Sequence, residues 1–401
     1  MTVDNTTQAT GGPSTDSITA RLAVQYVKPE AGTRHVHRFD DLRAVLRDEA
    51  MRQNGASESL TEKEDPTRAS IFFLHGEEHR KRRGAIISFF TPKAIATRHM
   101  PIIEQTADKL IADFRRKGRV RLDEMSFHLS AEVVAEIIGL TETPLLPMMH
   151  RIEGANSTPD IWRGGIRKLL APLKSRYYGL SFFQRDVKPA IAARRKQRRD
   201  DLISKLLDEG RSDLEIMVEC TTFGLAGQGT TREFIVVAAL HLFRNETLRR
   251  RFLDGGDGDK MAILMEILRL EPQASMIYRT ATRENAATAK PIAPGERLSL
   301  DIRAANLDEA MVGPDPTRID PDRAKKAKNN GAWMSFGDGN HFCPGWQVGL
   351  TETRVLLDRL FRVPGLRLAR APEMKWTPPM LQSYQFVDCI IECDKTAGSS
   401  G

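Results

Sequence analysis

A single cysteine, Cys343, lies in a glycine-rich stretch that runs from Phe336 to Gly345. A helical pattern begins directly after this stretch, at Trp346. Glycine lets the backbone adopt positive φ and approach a neighbouring group closely, so the loop can wrap around a flat molecule. A thiol just before a helix start is favoured as thiolate by the helix dipole, and thiolate is the form that binds metal ions. The stretch is either a metal-binding loop or a tight turn with an incidental buried cysteine.

The complete pattern Phe336-x-x-Gly339-x-His341-x-Cys343-x-Gly345 is too specific for an incidental turn. It resembles the haem-binding loop of the cytochrome P450 monooxygenases. The resemblance implies haem b as cofactor, with Cys343 as the axial ligand of its iron. It also implies that Phe336, Gly339, His341 and Gly345 contact the cofactor. Cysteine-ligated haem in this family favours cleavage of the oxygen–oxygen bond.

The same resemblance extends to an ion network upstream of the loop. Glu266 and Arg269 lie three positions apart in a helical pattern, hence on one helix face. They match the Glu-x-x-Arg element of the family, and Arg323 matches its second arginine. The resemblance implies a desolvated structural triad, because removing one partner would leave a buried charge uncompensated.

A long predicted helix carries the expected dioxygen groove. Its centre contains Gly227, Gly229 and Thr230, and the Thr230 hydroxyl can bond to the carbonyl four residues earlier and open the helix locally. The segment is similar to the groove of the family, which implies that dioxygen binds beside Gly227 and Thr230 and that Thr230 helps to deliver protons. Gly229 stands where the family has an acid. We expect either Glu233, through water, or a polar group of the substrate to complete the proton relay.

Four cationic donors are expected to hold the two haem propionates. His79 and Arg83 are four positions apart on a predicted helix, so both can face the same carboxylates. They match the His-x-x-x-Arg pair of the family. Arg279 and His341 match two further donors.

The substrate pocket is expected above the haem and is largely apolar, which favours a hydrophobic organic substrate. By position in the family's fold, its walls are Leu225, Ala226, Ser275, Met276, Ile277, Met380 and Leu381, with the loop Ala56–Phe73 beside them. Steroid, terpenoid, fatty-acid, aromatic and polyketide-like substrates all stay open.

Composition limits the other partners. The chain has 401 residues, 60 Lys and Arg against 53 Asp and Glu, and a net charge of +7. Its basic runs lie on amphipathic helical stretches and no nucleic-acid-binding motif accompanies them, so we expect no nucleic acid partner. No apolar run is long enough to span a membrane and the N-terminus has no signal-peptide core, so we expect a cytoplasmic monomer without a membrane anchor. The resemblance to soluble bacterial members implies electrons from a ferredoxin and its NAD(P)H-dependent reductase. On charge alone, Lys325, Lys326, Lys328 and Arg82 are candidates for its docking face; the alternative is that they are solvated surface cations.

The periodicity predicts a mainly α protein with a small β region, and the resemblance implies a single triangular domain. Predicted helices are Pro101–Lys117, Ser130–Ile138, Phe183–Arg199, Ser212–Phe243, Met261–Leu270 and Gln347–Phe361. Predicted strands are Arg34–Phe39, Ile277–Arg283, Arg297–Ile302 and Tyr384–Ile391. The domain is expected to span residues 18–395, between disordered tails at 1–17 and 396–401.

These features predict a haem-thiolate monooxygenase that activates dioxygen and hydroxylates a hydrophobic molecule. The alternative is a haem-thiolate protein with other chemistry, a peroxygenase, an isomerase or a coupling enzyme. Gly229 is the reason to retain it.

Overall fold

A computed structural model describes residues 15–54, 69–155, 165–284, 288, 290–377 and 382–395. Within these ranges the chain is mostly helical with small sheets, which confirms the predicted fold class. The helices are α1 (Ala20–Tyr26), α2 (Phe39–Arg47), α3 (Gly76–Ile87), α4 (Pro92–Ala94), α5 (Met100–Lys117), α6 (Leu122–Ile138), α7 (Leu145–Ala155), α8 (Gly165–Phe182), α9 (Lys188–Lys196), α10 (Leu202–Asp208), α11 (Asp213–Arg244), α12 (Glu246–Asp254), α13 (Asp257–Leu270), α14 (Ile302–Ala305), α15 (Glu309–Val312), α16 (Arg323–Lys326) and α17 (Trp346–Leu360). The strands are β1 (Arg34–Val36), β2 (Met51–Asn54), β3 (Arg119–Arg121), β4 (Met276–Ala281), β5 (Arg297–Asp301), β6 (Arg367–Arg370), β7 (Glu373–Thr377), β8 (Ser383–Val387) and β9 (Ile390–Glu392).

The long helix α11 forms the centre of the helical core. It begins at a capping box, in which the Ser212 hydroxyl accepts the amide of Glu215 at 3.3 Å and the Glu215 carboxylate accepts the amide of Ser212 at 2.8 Å. Its 32 residues extend about 48 Å at ~1.5 Å per residue. Its second half, from Phe234 to Leu242, is almost completely buried. This burial fixes the helix, and with it the groove around Thr230.

Two glycines let neighbouring helices approach α11 closely. A Cβ on Gly227 would lie 2.8 Å from Cγ2 of Val134 on α6, and one on Gly224 would lie 3.1 Å from Cδ1 of Ile152 on α7. Contacts below 3.0 Å do not occur for real Cβ atoms, so at least Gly227 is set by packing.

The largest sheet joins distant parts of the chain in the order β1-β5-β4-β2. Strand β1 is parallel to β5, and the other neighbours are antiparallel. A separate apolar cluster lies against this sheet and includes Phe39, Leu42 and Leu300. The other sheets have the orders β3-β9-β6 and β7-β8.

Several predicted boundaries are corrected by the structure. The segment Phe183–Arg199 is not one α-helix: Phe183–Val187 is π-helical and α9 ends at Lys196. The segment Tyr384–Ile391 divides into β8 and β9, which belong to different sheets, because Asp388 between them has a φ of +63°. The first predicted strand ends at Val36, because Phe39 already starts the amphipathic helix α2.

The N-terminal segment is fastened to the core within the described part of the chain. Asp16 accepts the amide of Ile319 at 2.8 Å and pairs with Arg318 at 3.0 Å, so the predicted tail does not extend to this residue. The rest of that tail, residues 1–14, and residues 396–401 lie outside the described ranges. No helix in the described ranges is long and apolar enough to cross a membrane.

Candidate functional site

Cys343 lies between a 3₁₀ turn, Gly339–His341, and the start of α17. Its amide donates to the Phe336 carbonyl at 2.9 Å, which closes the loop. The amides of Gly345 and Trp346 donate to its sulfur. The sulfur is therefore held at the N-terminal end of α17 by groups that favour negative charge.

Burial nevertheless raises the pKa of the Cys343 thiol. The amides of Gly345 and Trp346 and the charge of Arg83 act in the opposite direction but do not outweigh it. The helix start therefore favours thiolate, as predicted, but burial of the sulfur acts more strongly in the opposite direction. A bound cation would reverse the balance, since a coordinating thiol is deprotonated outright.

Around the cysteine, the loop is shaped by aromatic packing and by one obligatory glycine. The rings of Phe336, Phe342 and Trp346 pack together with centroids 5.9 to 6.3 Å apart. Gly339 has a φ of +65°, and a side chain there would collide with the Leu46 backbone carbonyl. Gly345 is less constrained, because a Cβ there would meet only the Phe90 ring at 3.8 Å.

A cluster of basic side chains gathers beside the loop. The imidazoles of His79, on α3, and His341 stack with centroids 4.1 Å apart. One turn later on α3, Arg83 donates to the carbonyl of Phe342, next to the cysteine. Arg279, on β4, is buried, and among the described residues its one hydrogen-bond partner is the carbonyl of Tyr278 at 2.8 Å.

The cluster repels further positive charge. Burial, with the neighbouring cations His79, Arg279, His75 and Arg83, lowers the pKa of His341 to about 2. Burial, together with the positive charges of Arg83 and Arg80, lowers the pKa of His79 to about 4. Burial alone lowers that of Arg279 to about 10.

Within the described ranges, no carboxylate forms an ion pair with the members of this cluster. Two arginines and neighbouring imidazole N–H groups without a protein counter-ion suit a ligand with two carboxylates, whose charge would also favour protonation of the imidazoles. The propionates of haem meet that requirement, and the half-buried Cys343 beside them suits its iron. The residues present therefore fit haem b.

His75 belongs to the same cluster and was missed by the sequence reasoning. Its ring lies 5.8 Å from that of His341, and burial, with Arg52, Arg279 and His79, lowers its pKa to about 4. The available signal was its spacing, since it stands four residues before His79.

The Glu266, Arg269 and Arg323 side chains meet in a buried ion network. Arg269 donates to both oxygens of Glu266, at 2.7 and 2.9 Å, and Arg323 donates to the same carboxylate at 2.9 Å. The arginines also donate to backbone carbonyls of the irregular segment between α15 and α16, including those of Pro316 and Pro314. The network thus holds the chain that leads to the cysteine loop against α13.

In α11, the Thr230 hydroxyl donates to the Ala226 carbonyl at 2.8 Å, the expected bond to the residue four positions earlier. Both residues are exposed, although Gln228 and Thr231 on adjoining positions are buried. The helix therefore offers a small open face with a hydroxyl in the middle of the core.

The contacts of Glu233 argue against its predicted relay role. Its carboxylate pairs with Arg232 at 2.5 Å and accepts the amide of Phe386, on β8, at 2.7 Å. Burial raises its pKa, although Arg232 and the Phe386 amide lower it in part. These interactions join α11 to β8. Because both occupy the Glu233 carboxylate, they do not direct it toward Thr230. Gly229 has open space where a Cβ would be, so no packing constraint requires a glycine there.

The predicted pocket residues divide into three groups. Ala226 is exposed, while Leu225 and Ile277 are half-buried. Ser275 and Met276 have no exposed surface, so in this structure they do not line an open wall. Met380 and Leu381 lie outside the described ranges, as do residues 56–68 of the loop Ala56–Phe73.

The predicted docking residues are not all at the surface. Lys325, Lys326 and Lys328 are exposed. Arg82 is only 6% exposed and donates to Glu219 and to the Ala69 carbonyl, so its assignment to a docking face is wrong.

Comparisons with known proteins agree on one family. Residues 261–369 match the family model described as cytochrome P450. The chain is 30% identical over 349 residues to the erythromycin C-12 hydroxylase of Saccharopolyspora erythraea, with 82% of this chain and 81% of that protein covered. It is 27% identical over 302 residues to the steroid C26-monooxygenase of Mycolicibacterium smegmatis, covering 73% and 71% of the two chains. Its fold matches the structure of a mutant of P450 EryK in complex with erythromycin B with a TM-score of 0.75 and 26% identity, covering 96% of each chain.

Proposed function

Because this chain belongs to the cytochrome P450 family, we propose that it binds haem b through Cys343 and hydroxylates a hydrophobic organic molecule with electrons from a ferredoxin. Members of the family bind haem b through a thiolate and act as monooxygenases. The observation that supports these residue assignments best is the cationic cluster of His79, Arg83, Arg279 and His341 beside the half-buried Cys343. It brings together a thiol for the iron, two arginine charges for the propionates and two imidazoles that can donate hydrogen bonds to them.

Bound haem would supply an iron that activates dioxygen, so that, with two electrons and two protons, one oxygen atom enters a carbon–hydrogen bond and the other leaves as water. Cys343 supplies the anionic sulfur ligand, and the amides of Gly345 and Trp346 fix its lone pairs. Such hydrogen bonds limit how much electron density the sulfur passes to a metal. The Arg83 side chain holds the loop at Phe342, which keeps the sulfur in position.

The Thr230 hydroxyl is the polar group that we assign to the oxygen side. Its proton is committed to the Ala226 carbonyl, so the hydroxyl oxygen can accept a hydrogen bond from a water or from the reacting group. With Gly229 at the adjacent position and Glu233 committed to Phe386, the protons come from water or from the substrate's own polar group.

The substrate class follows from the apolar surroundings of the open face. Among the residues predicted to line the pocket, Leu225, Ala226 and Ile277 keep exposed hydrocarbon surface. The named relatives act on erythromycin and on a steroid, which supports a bulky hydrophobic substrate for this chain.

A labelled-oxygen experiment tests the proposal. A panel of macrolides, steroids and fatty acids would be screened for compounds that shift the haem absorption band. Those that bind would be incubated with ferredoxin, its reductase, NADPH and ¹⁸O₂. We expect a product that carries one ¹⁸O atom. Equal product formation from hydrogen peroxide alone would favour a peroxygenase, for which Gly229 is the motivating feature.

The ferredoxin is assigned to the exposed cations Lys325, Lys326 and Lys328, because electrostatic complementarity directs such encounters. The double variant Lys325→Glu/Lys328→Glu should raise the KM for ferredoxin several-fold and leave chemical reduction by dithionite unchanged. Lys375→Glu, on β7, is the matched control. An unchanged KM in the double variant would remove this surface from the docking site.

A further inference from the structure

Helix α8 exposes a row of large apolar side chains to solvent. Leu170, Leu173, Tyr177 and Leu180 are 48%, 66%, 64% and 54% exposed. Monomeric proteins scatter such residues singly, whereas a contiguous row marks an interaction surface. We name this row the α8 seam.

The spacing of the α8 seam is that of a coiled-coil contact. Its members are separated by three, four and three residues, which corresponds to positions a, d, a and d of two heptads. At ~100° per residue they fall within about 80° of the helix circumference. This is the narrow seam that fits one partner helix, whereas a helix that lies in a membrane surface has a broader apolar face.

The charges beside the seam have one sign. In this heptad frame, Lys174 takes position e and Arg176 position g, on opposite sides of the row, and both are exposed. From Trp162 to Gln184 the sequence has lysines and arginines but no aspartate or glutamate. Charges at e and g select the partner, so two copies of α8 would bring cation against cation.

The opposite face of α8 is already used. The ring of Tyr178 fills the space beside Gly154 on α7, and the Ser175 hydroxyl donates to the Ala155 carbonyl. Directly after α8, Asp186 pairs with Arg151 of α7 through two bonds of 2.6 Å. These contacts fix the rotation of α8, so the seam faces outward in the folded protein.

We propose that the α8 seam is a docking site for an acidic amphipathic helix of another protein. Leucine-type side chains of the partner would pack between Leu170, Leu173, Tyr177 and Leu180, and its carboxylates would face Lys174 and Arg176. Through α7, whose Ile152 lies against Gly224 of α11, the partner would sit two helices away from the Thr230 groove.

The test uses the haem-loaded full chain and two synthetic peptides of about 21 residues. Both carry leucine at positions a and d; one has glutamate and the other lysine at positions e and g. We expect fluorescence anisotropy to show salt-sensitive binding of the glutamate peptide only. The double variant Leu173→Ser/Tyr177→Ser should bind it about tenfold more weakly or not at all. Leu214→Ser, which replaces a leucine on α11 that is 48% exposed, is the control and should bind like the parent.

Reversing the charges beside the α8 seam distinguishes specific binding of the acidic helix from nonspecific hydrophobic adsorption. The double variant Lys174→Glu/Arg176→Glu should lose the glutamate peptide and gain the lysine peptide. Equal binding of both peptides, or binding of neither, overturns the proposal. Binding to phosphatidylglycerol vesicles and to neither peptide would also overturn it, because the occupant would then be a membrane. Dimerisation of the protein in sedimentation, if Leu173→Ser/Tyr177→Ser abolishes it, would show that the occupant is a second copy of this chain. A thermal melt of each variant confirms that these exposed substitutions leave the fold intact.

Discussion

Two opposing influences act on the thiol of Cys343. Burial raises its pKa, whereas the amides of Gly345 and Trp346 and the charge of Arg83 lower it. Without its cofactor the protein therefore keeps Cys343 as a thiol, although the groups around the sulfur stabilise a thiolate. Metal binding and loss of the thiol proton are then one coupled event.

Glu233 offers a test of the proton source at the same scale. Its carboxylate is bound by Arg232 and by the Phe386 amide, so the substitution Glu233→Gln should leave the ratio of product formed to NADH consumed unchanged. It should lower the free energy of unfolding by about 1–3 kcal/mol, because a buried charged hydrogen bond is lost. The measurements are coupled turnover and urea denaturation.

Gly229→Asp is the companion variant for this test. The space beside Gly229 is open, so the aspartate is tolerated and should change the coupling ratio by placing an acid next to Thr230. A reduced ratio in Glu233→Gln with unaltered stability would restore Glu233 to the relay.

Sequence reasoning succeeded for single residues whose partners are close along the chain. The contacts of Cys343 come from Phe336, Gly345 and Trp346, all within ten residues. It could not show that the Glu233 carboxylate accepts the amide of Phe386, which is 153 residues away on a strand. No local pattern reports which distant group an acid on a long helix will meet.

The pairing of α6 with α11 decides where the groove lies. Gly227 was assigned to dioxygen from the sequence, but the position of its missing Cβ is taken by Val134. The glycine thus lets two helices approach, and that approach sets the distance from α6 to the open face at Ala226 and Thr230.

Two alanine substitutions separate this packing role from helix propensity. Gly227→Ala would place its Cβ 2.8 Å from Cγ2 of Val134, a stiff β-branched side chain, and should lower the free energy of unfolding by about 1–3 kcal/mol. Gly229→Ala meets nothing within 4 Å and should raise it by up to about 1 kcal/mol. Urea denaturation of both variants measures the difference. Equal effects would show that α6 does not constrain Gly227, and Val134→Ala should partly rescue Gly227→Ala.

Among the secondary-structure elements, hydrophobic periodicity in the sequence predicted the long helices well and the strands poorly. The central helix was predicted as Ser212–Phe243 and observed as Asp213–Arg244, because a capping box marks its start. The bounds of helix α8 could not be predicted from periodicity, because it contains Pro172, which normally signals a break. Strand β2 was missed because its stability comes from pairing with β4, more than two hundred residues later.

The cationic cluster belongs to the whole molecule, because α3, β4 and the cysteine loop each contribute to it. His79, Arg279 and His341 are far apart in the sequence and meet only in the fold. Their order along the chain matches the family pattern, which is why a resemblance could assign them where periodicity could not. The route by which the strands bring Arg279 to the loop was not predictable, since it depends on the order β1-β5-β4-β2.

This cluster makes stability depend on pH in a way that haem should change. The folded pKa of His75 and His79 is about 4, below the ~6.5 expected for the unfolded chain. The unfolded chain therefore binds more protons below pH ~6.5, and the haem-free protein should lose stability as the pH falls from about 6.5 to about 4. Two propionates should raise these pKa values and reduce the loss. Urea midpoints at pH 7.5 and 5.5, with and without haem, test this; the same pH dependence in both forms would contradict it.

The visible spectrum of the dithionite-reduced protein, before and after carbon monoxide, tests the central claim most directly. Thiolate ligation by Cys343 predicts a strongly red-shifted Soret band in the carbon monoxide complex, and Cys343→His should move the band to the ordinary haem position while haem stays bound. A band at the ordinary position in the unaltered protein would show that Cys343 is protonated or displaced. A protein that takes up no haem at all would contradict the whole assignment of the site.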